Sequence, residues 1–471
     1  MHQKLLQKPA TYNNNNRMEN IASVQREYFL KGATKDITFR KQQLRKLEKV
    51  LKENEPLLLD AIYKDFKKSA FDTYTNELYL LYHDIQEAIK KTRSWSRVKR
   101  AKTNLPNLPA KSYVMPEPLG VSLVIGAWNY PYLLSLAPVV AAIAAGNTVV
   151  LKPSEVSLNS SHALEHIVNT NFQPEFFSVV EGGIKETSDL LNQKFDKIFF
   201  TGSANVGRIV YQAGAKNLAS VTLELGGKSP AFFTETCNLK TSVKRMIWAK
   251  YLNAGQTCIA PDYILVHKSI KDNFLKLAVE EIEKNKFSID NENYVQIINE
   301  KNFHRLQSMI DPSKIYVGGQ CDIDSRIIEP TIMTDVNFED LVMKEEIFGP
   351  ILPVIEYDKL NTVVDRVKAG PKPLACYVFT KDRKVRNTIL REISFGGGAI
   401  NDSVMHMTNS NMAFGGVGDS GLGSYHGISG FQAFSHFKSI LDKPTFFEPN
   451  LKYYEHTKQK FKWIKIMMGQ K

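Results

Sequence analysis

Three residues of this chain have side chains suited to covalent or proton-transfer chemistry and lie where the sequence pattern changes. Cys258 stands in Gly-Gln-Thr-Cys-Ile-Ala-Pro-Asp-Tyr (255–263), between a helix-like run at 243–252 and a β-branched, aromatic run at 263–266. A thiol at such a junction is open to a ligand while the flanking elements hold its backbone still. Gly255, Thr257 and Ala260 are small enough to let a substrate near the sulfur, and Pro261 fixes its own φ. The plain alternative is a buried structural cysteine, one of the most buried residue types. Glu224 closes an apolar run in Leu-Glu-Leu-Gly-Gly (223–227). Burial there would raise its pKa into the range of a general base; a salt-bridged strand-end glutamate is the alternative. Asn129, in Trp-Asn-Tyr-Pro (128–131), offers the two N–H donors a developing oxyanion requires, and losing one such donor costs about 10²–10³ in rate. An asparagine after a strand is also a common turn residue.

Other segments fit a dinucleotide. In Phe-Thr-Gly-Ser-Ala-Asn-Val-Gly (200–207), Gly202 permits a tight turn, and free amides with the Ser203 hydroxyl at a helix N-terminus suit a pyrophosphate. The segment is not G-x-G-x-x-G, so alone it reads equally as a glycine turn with a serine cap. Lys152 and Glu155, in Leu-Lys-Pro-Ser-Glu, are able to hold ribose hydroxyls or to begin a capped helix. Residues 345–350 (Glu-Glu-Ile-Phe-Gly-Pro) and 414–421 pair an aromatic with glycines, giving a flat face and close backbone approach, or simply turns.

The elements that must position these residues follow from periodicity. Leucines 44, 47 and 51, then Leu58, Ile62 and Phe66, recur at helical spacing, and Pro56 separates two helices; a third amphipathic stretch covers 78–89 before a basic connector at 99–109. From Pro118 short apolar strands (121–125, 148–152, 177–180, 197–201, 220–225) alternate with helices (133–145, 160–168, 186–193, 205–213). This alternation predicts a parallel sheet covered on both faces, with ligands at the carboxyl ends of its strands, where Trp128, Asn129, Lys152, Thr201 and Glu224 all fall. A second α/β pattern follows Gly227, with helices at 242–252, 271–284 and 303–310 and strands at 263–266, 351–356 and 375–379. The fold class is therefore α/β, a Rossmann-like dinucleotide-binding domain plus a second α/β domain. The expected divisions are a disordered, polar leader over 1–20, which contains four consecutive asparagines and a candidate start at Met18; helices and the nucleotide domain over 21–225; the second domain over 226–400; and a Gly-rich segment and tail over 401–471.

The composition fits a soluble enzyme. Hydrophobic residues make up 43 % and charged residues 23 % of 471, ordinary for a globular protein. The four cysteines are far apart, which argues against a disulfide framework or a cysteine-rich zinc site and for a reducing, cytoplasmic setting. The net charge is +12, from 61 basic and 49 acidic residues. No aromatic-interleaved basic motif accompanies it, so a surface that attracts an anionic cofactor is favoured over nucleic-acid binding. No apolar run reaches bilayer length.

Taken together and in order, Trp-Asn-Tyr-Pro, Leu-Lys-Pro-Ser-Glu, Phe-Thr-Gly-Ser, Leu-Glu-Leu-Gly-Gly-Lys-Ser-Pro, Gly-Gln-Thr-Cys and Glu-Glu-Ile-Phe-Gly-Pro closely resemble the aldehyde dehydrogenase superfamily, over about residues 38–440. Ala-Pro-Asp-Tyr after the thiol and Gly-Asp-Ser-Gly-Leu-Gly-Ser-Tyr-His-Gly (418–427) are similar to its class 3 branch. The resemblance implies NAD(P)-dependent oxidation of an aldehyde to a carboxylate. Cys258 would be the nucleophile, Asn129 and the Cys258 N–H the oxyanion donors, and Glu224 the base that releases a thioester. It further implies Trp128, Lys152, Glu155, Thr201, Gly202, Ser203, Val206, Gly207, Leu225, Glu346 and Phe348 around NAD, with NADP tolerated because Lys152 is able to partner a phosphate. No metal is implied. Tyr130 and Trp248 would line an apolar tunnel for medium-chain aliphatic or aromatic aldehydes, although core packing explains Trp248 equally well. A homodimer is expected, with residues 401–471 supplying an oligomerisation element. Some class 3 relatives carry a C-terminal membrane anchor; here 461–468 is too short to span, leaving at most weak peripheral contact by the basic tail. The competing readings are a coenzyme A-acylating aldehyde dehydrogenase, which can dispense with Glu224, and a non-catalytic structural or binding protein on the same fold, which would not need the three residues together.

Overall fold

The computed structural model describes residues 20–469; the leader expected over 1–20 lies, but for its last residue, outside them. The apolar runs after Pro118 form a parallel sheet because four of the five are buried throughout, and the last, at 220–224, over its final three residues. Val121–Ile125 (β1), Thr148–Lys152 (β2), Phe177–Val179 (β3), Lys197–Thr201 (β4) and Ser220–Glu224 (β5) stand in the order β5-β4-β1-β2-β3. The chain winds one way from β1 to β3, then crosses back to β4 on the other side of β1. A crevice therefore opens between the carboxyl ends of β1 and β4, where Trp128-Asn129 and Thr201-Gly202 emerge. Gly421–Leu422 adds a sixth, antiparallel strand, with Gly421 opposite Glu224, so part of the C-terminal segment belongs to the first sheet.

The second sheet holds Pro230–Phe233 (β6), Tyr263–His267 (β7), Ile315–Val317 (β8), Thr331–Met333 (β9), Ile351–Tyr357 (β10), Ala375–Phe379 (β11) and Gly397–Ile400 (β12), in the order β8-β9-β10-β7-β6-β11-β12. Only the β8–β9 pairing is antiparallel. The chain passes from one sheet to the other through Leu225–229, directly after Glu224. The connector at 99–109 contributes Lys99–Ala101 to a three-stranded antiparallel sheet with Lys111–Pro118 and Ser435–Asp442. The tail ends in the helix Lys458–Met467, whose Phe461, Trp463 and Ile466 are exposed. No helix among the described residues is long and apolar enough to cross a membrane.

The N-terminal helices Ile37–Glu53, Glu55–Phe66 and Tyr79–Trp95 bury the periodic Leu44, Leu47, Leu51, Leu58, Ile62 and Phe66 against Leu133–Ala145 and Leu158–Asn171. The helix Leu133–Ala145 is apolar nearly all round, as a helix covered on every side must be. One carboxylate ties the layer to the nucleotide domain. Asp65, near the end of Glu55–Phe66, accepts from the Asn159 and Ser160 backbone amides at 2.9 Å each, from Asn159 Nδ2 at 2.9 Å and from Ser160 Oγ at 2.7 Å. It thereby satisfies free amides at the start of Leu158–Asn171 that the helix itself cannot. Asp65→Ala is expected to cost about 2–3 kcal/mol, read as a lower urea midpoint, with NAD affinity of the folded protein unchanged.

Candidate active site

Residues 253–255 create the thiol's setting. Asn253, Ala254 and Gly255 all have positive φ (56°, 51° and 72°), a conformation that costs non-glycine residues energy and persists only where contacts enforce it. The contacts are present. Asn253 Nδ2 donates to the Asn129 carbonyl and the Gln256 carbonyl, each at 3.1 Å. Gln256 Nε2 donates to the Asn253 and Gln296 carbonyls, and its Oε1 accepts from Ile298 N at 3.0 Å. At Gly255 a Cβ would fall 2.2 Å from the Gly349 carbonyl oxygen, so only glycine fits. Beyond the thiol, the Tyr377 hydroxyl donates to the Ile259 carbonyl at 2.5 Å.

Asn129 is buried, and its Nδ2 donates to the Gln256 carbonyl at 3.1 Å, two residues before Cys258. The predicted carboxamide is thus tied to the backbone of the loop that carries the thiol. Tyr130, buried beside it, shares a 2.7 Å hydrogen bond with the Thr257 hydroxyl. Trp248, on the helix Leu239–Tyr251, is 42 % exposed; it belongs to the surface near the loop rather than to the core.

Glu224 lies at the end of β5, almost fully buried, and neither carboxyl oxygen has a hydrogen-bond partner. Burial raises its pKa well above the carboxylate range, opposed by the positive charge of Lys197. Lys197, at the start of β4, is itself buried; Nζ donates to Thr222 Oγ1 at 2.6 Å and Ser220 Oγ at 3.3 Å. Thr222 and Glu224 share one face of β5, two residues apart. Burial pulls the Lys197 ammonium down to about 7, against the pull of Glu224. The Cys258 thiol is pushed up to about 12 by burial and then by the nearby Glu346 and Glu224 carboxylates. Glu224 and Cys258 therefore favour their neutral forms, Lys197 is divided between its charged and neutral forms near neutral pH, and the thiol needs a base or a cation to ionise.

The expected cofactor residues fall at the carboxyl ends of the strands and on the turn before the second sheet's Ile351–Tyr357. Ser203 caps the helix Ala204–Lys216, its Oγ accepting from Val206 N at 3.4 Å. Gly207 lies where a Cβ would be 2.7 Å from Leu225 Cδ2, so the helix packs tightly on the strand end. Thr201 is buried with its hydroxyl unpartnered. Lys152 is buried at the end of β2 and its Nζ reaches the exposed Glu155 carboxylate at 2.9 Å. The Glu346 carboxylate is tucked against Gly226, where a Cβ would meet Oε2 at 2.1 Å. Burial and then Asp262 push Glu346 up to about 8. Phe348, at φ 50°, meets the Trp128 ring edge-on, centroids 5.4 Å apart. A helix N-terminus, a strand-end cation and an inward carboxylate beside a glycine fit a dinucleotide with a pyrophosphate and two riboses.

Sequence reasoning missed the residues that hold this cradle. Lys228 Nζ binds Asp262 Oδ2 at 2.5 Å and the Val342 and Glu345 carbonyls at 3.1 and 2.9 Å. Asp262 Oδ1 accepts from Ile347 N at 2.9 Å. Arg305 donates to the Glu346 and Ile347 carbonyls at 3.2 and 2.7 Å. Lys228 and Asp262 lie inside the two motifs that drew attention to Glu224 and Cys258, and their charges were the available signal.

Comparison with known proteins identifies the family. The family model described as "Aldehyde dehydrogenase family" matches residues 4–440. The chain is 43 % identical over 442 residues to 4,4'-diaponeurosporen-aldehyde dehydrogenase of Staphylococcus aureus, spanning 93 % of this chain and 96 % of that protein. It is 41 % identical over 450 residues to Aldehyde dehydrogenase family 3 member A2 of Mus musculus, spanning 94 % and 92 %. The solved substrate-bound state of Staphylococcus aureus AldH superposes with a TM-score of 0.93 at 42 % identity, covering 96 % of this chain and 99 % of that one. Mycobacterium tuberculosis aldehyde dehydrogenase complexed with NAD+ superposes at 0.82 and 26 % identity, covering 92 % and 91 %. Likeness over almost the full chain leads to one conclusion: the protein belongs to the aldehyde dehydrogenase family, and is an NAD(P)-dependent oxidoreductase acting on aldehydes.

Proposed function

We propose that Cys258 attacks the carbonyl of an apolar aldehyde and that the chain oxidises it to the carboxylate. The observation that carries this reading is Glu224, a buried carboxyl with both oxygens free at the strand end next to the thiol. A group with a raised pKa and no partner is a good proton acceptor once ionised, and water is what remains to be activated after the thioester forms. Asn129 Nδ2 and the Cys258 N–H would hold the tetrahedral oxyanion. A bound nicotinamide would accept hydride and bring positive charge toward the thiol. Trp128 and Phe348 would bracket that ring, Glu346 its ribose, Lys152 and Glu155 the adenosine ribose, and Gly202, Ser203 and Val206 the pyrophosphate. Thr201, Gly207 and Leu225 would form the crevice walls.

The free carboxyl of Glu224 favours hydrolysis over transfer to coenzyme A, which would not require it. The substrate reading is a medium-chain aliphatic or aromatic aldehyde passing Tyr130 and Trp248. The relative named for 4,4'-diaponeurosporen-aldehyde supports including long apolar aldehydes. Four free cysteines are consistent with a reducing cytoplasm, and the edge strand Ser435–Asp442 leaves one side open to a second subunit. The tail helix Lys458–Met467, basic with exposed Phe461 and Trp463, supports at most a peripheral membrane contact.

Four outcomes test this reading. With an aldehyde panel, Cys258→Ala is expected to lose NADH formation by more than about 10³-fold. Glu224→Gln should instead release about one NADH per site in a burst and then stall as thioester accumulates; steady turnover at the wild-type rate by either variant would refute the assignment. In Lys197→Met, loss of the positive charge that opposes burial at Glu224 should move the rising limb of the deacylation pH profile to higher pH. A downward shift would mean that Lys197 does not act on the base. The exposed Glu155 carboxylate repels a 2′-phosphate, so kcat/KM should favour NAD over NADP, and Glu155→Gln should narrow the gap.

A further inference from the structure

The proposed chemistry leaves unused a fully buried ion pair. Lys68 and Glu77 are 1 % and 0 % exposed, with Nζ and Oε1 2.8 Å apart. Local backbone sets both. The helix Glu55–Phe66 stops at Lys67, whose φ is 61°, and the chain then turns Lys68 inward. Residues Tyr74–Leu78 form a π-helical turn, the kind of bulge that re-aims side chains and recurs at functional sites. It directs Glu77 into the interior.

The pair touches both halves of the site. Glu77 Oε2 accepts from Tyr132 N at 2.8 Å and Leu133 N at 3.2 Å. These amides open the helix Leu133–Ala145, which has no side-chain cap of its own, so Glu77 caps it from another element. That helix start ends the loop that carries Asn129. Lys68 Nζ sits 4.1 Å from the centroid of the Tyr130 ring, a close cation–π contact. Tyr130 is bonded to Thr257, the neighbour of Cys258. A cation over the ring draws electron density from the phenol and favours its O–H as the donor to Thr257.

Burying two charges to satisfy one another generally stabilises a fold no better than apolar packing, so stability alone does not account for them. We infer that Lys68 and Glu77 are positioning residues: the pair holds the Asn129 loop and the Tyr130–Thr257 bridge in register, so that the carboxamide meets the oxyanion formed on Cys258. The inference rests on the reading of Cys258 and Asn129 given above. It predicts a defect confined to the acylation step, because alkylation of a thiol by iodoacetamide forms no oxyanion and needs no carboxamide.

The test uses the full chain with the double variant Lys68→Met/Glu77→Gln, which removes both charges and keeps a carbonyl acceptor for the Tyr132 and Leu133 amides. Expected are unchanged NAD affinity and unchanged iodoacetamide alkylation of Cys258, with the NADH burst rate down by about 10- to 100-fold, as for an ångström-scale misplacement. Lys68→Arg should recover most of that rate, since a guanidinium also pairs with a carboxylate and stacks on an aromatic ring. A wild-type burst rate in the double variant, or equal losses in alkylation, NAD affinity and burst, would overturn the inference. If the double variant does not fold, Lys68→Gln, which keeps a hydrogen bond to Glu77 but no charge over Tyr130, carries the same comparison. Failure of the underlying reading is distinguishable: it would appear as no burst in the wild type itself.

Discussion

Two backbones meet beneath the thiol, and much of the site depends on that contact. The Gly349 carbonyl lies where any side chain at residue 255 would be, so the loop before Cys258 and the loop after Glu346 are packed at the closest distance a polypeptide allows. Such an approach is available only to glycine, and the two residues before it, Asn253 and Ala254, adopt positive φ although they have side chains. The cost of those conformations is offset by bonds from Asn253 and Gln256 that also orient Asn129. Cys258, Asn129 and Glu346 are therefore held in one mechanical unit, although they come from three distant parts of the chain.

Buried ions hold that unit, and their role differs from that of the surface pairs. Lys64–Asp60 and Lys368–Glu392 are roughly half exposed, and pairs of that kind contribute about 0–1 kcal/mol. Lys228–Asp262 instead anchors the turn at 345–347 through two backbone carbonyls and an amide, and Lys68–Glu77 anchors a helix start. In both, the charges are spent on backbone groups of loops that regular hydrogen bonding cannot fix. This is where desolvating an ion pair is useful despite its cost: it selects one loop conformation among many of similar packing.

How much of this was legible in the sequence depended on range. The strands at 197–201 and 375–379 match residue for residue, because an apolar run bounded by polar residues is a local signal. The helix expected from 242 begins at Leu239, where Asn238 Oδ1 accepts from Thr241 N. The four-residue strands Pro230–Phe233 and Gly397–Ile400 carry no periodicity to detect, and Gly421–Leu422 joins the first sheet only through a partner two hundred residues away. Among site residues, those in dense motifs were readable. Lys68 and Glu77 were not, since a lysine and a glutamate nine apart read as surface charge until a π-turn and a left-handed residue direct both inward.

The electrostatics of the interior follow from one asymmetry. Burial raises Cys258 to about 12 and Glu346 to about 8, and raises Glu224 further above its ordinary range than Lys197 can offset; it lowers Lys197 to about 7 and Lys250 to about 8. Acids and bases are thus all driven toward neutrality in the same volume, which is the expected response of a low-dielectric region to charge. Such a region is poised rather than inert, because any charge introduced into it acts at close range with little screening. A cation near Cys258 and Glu346 would lower both, whereas the positive charge that opposes burial at Glu224 is that of Lys197, at the start of the neighbouring strand β4. Because the Glu224 carboxylate itself raises the thiol, while the Lys197 charge opposes burial at Glu224, ionising either acid makes ionising the other harder, so such a site favours one negative charge at a time.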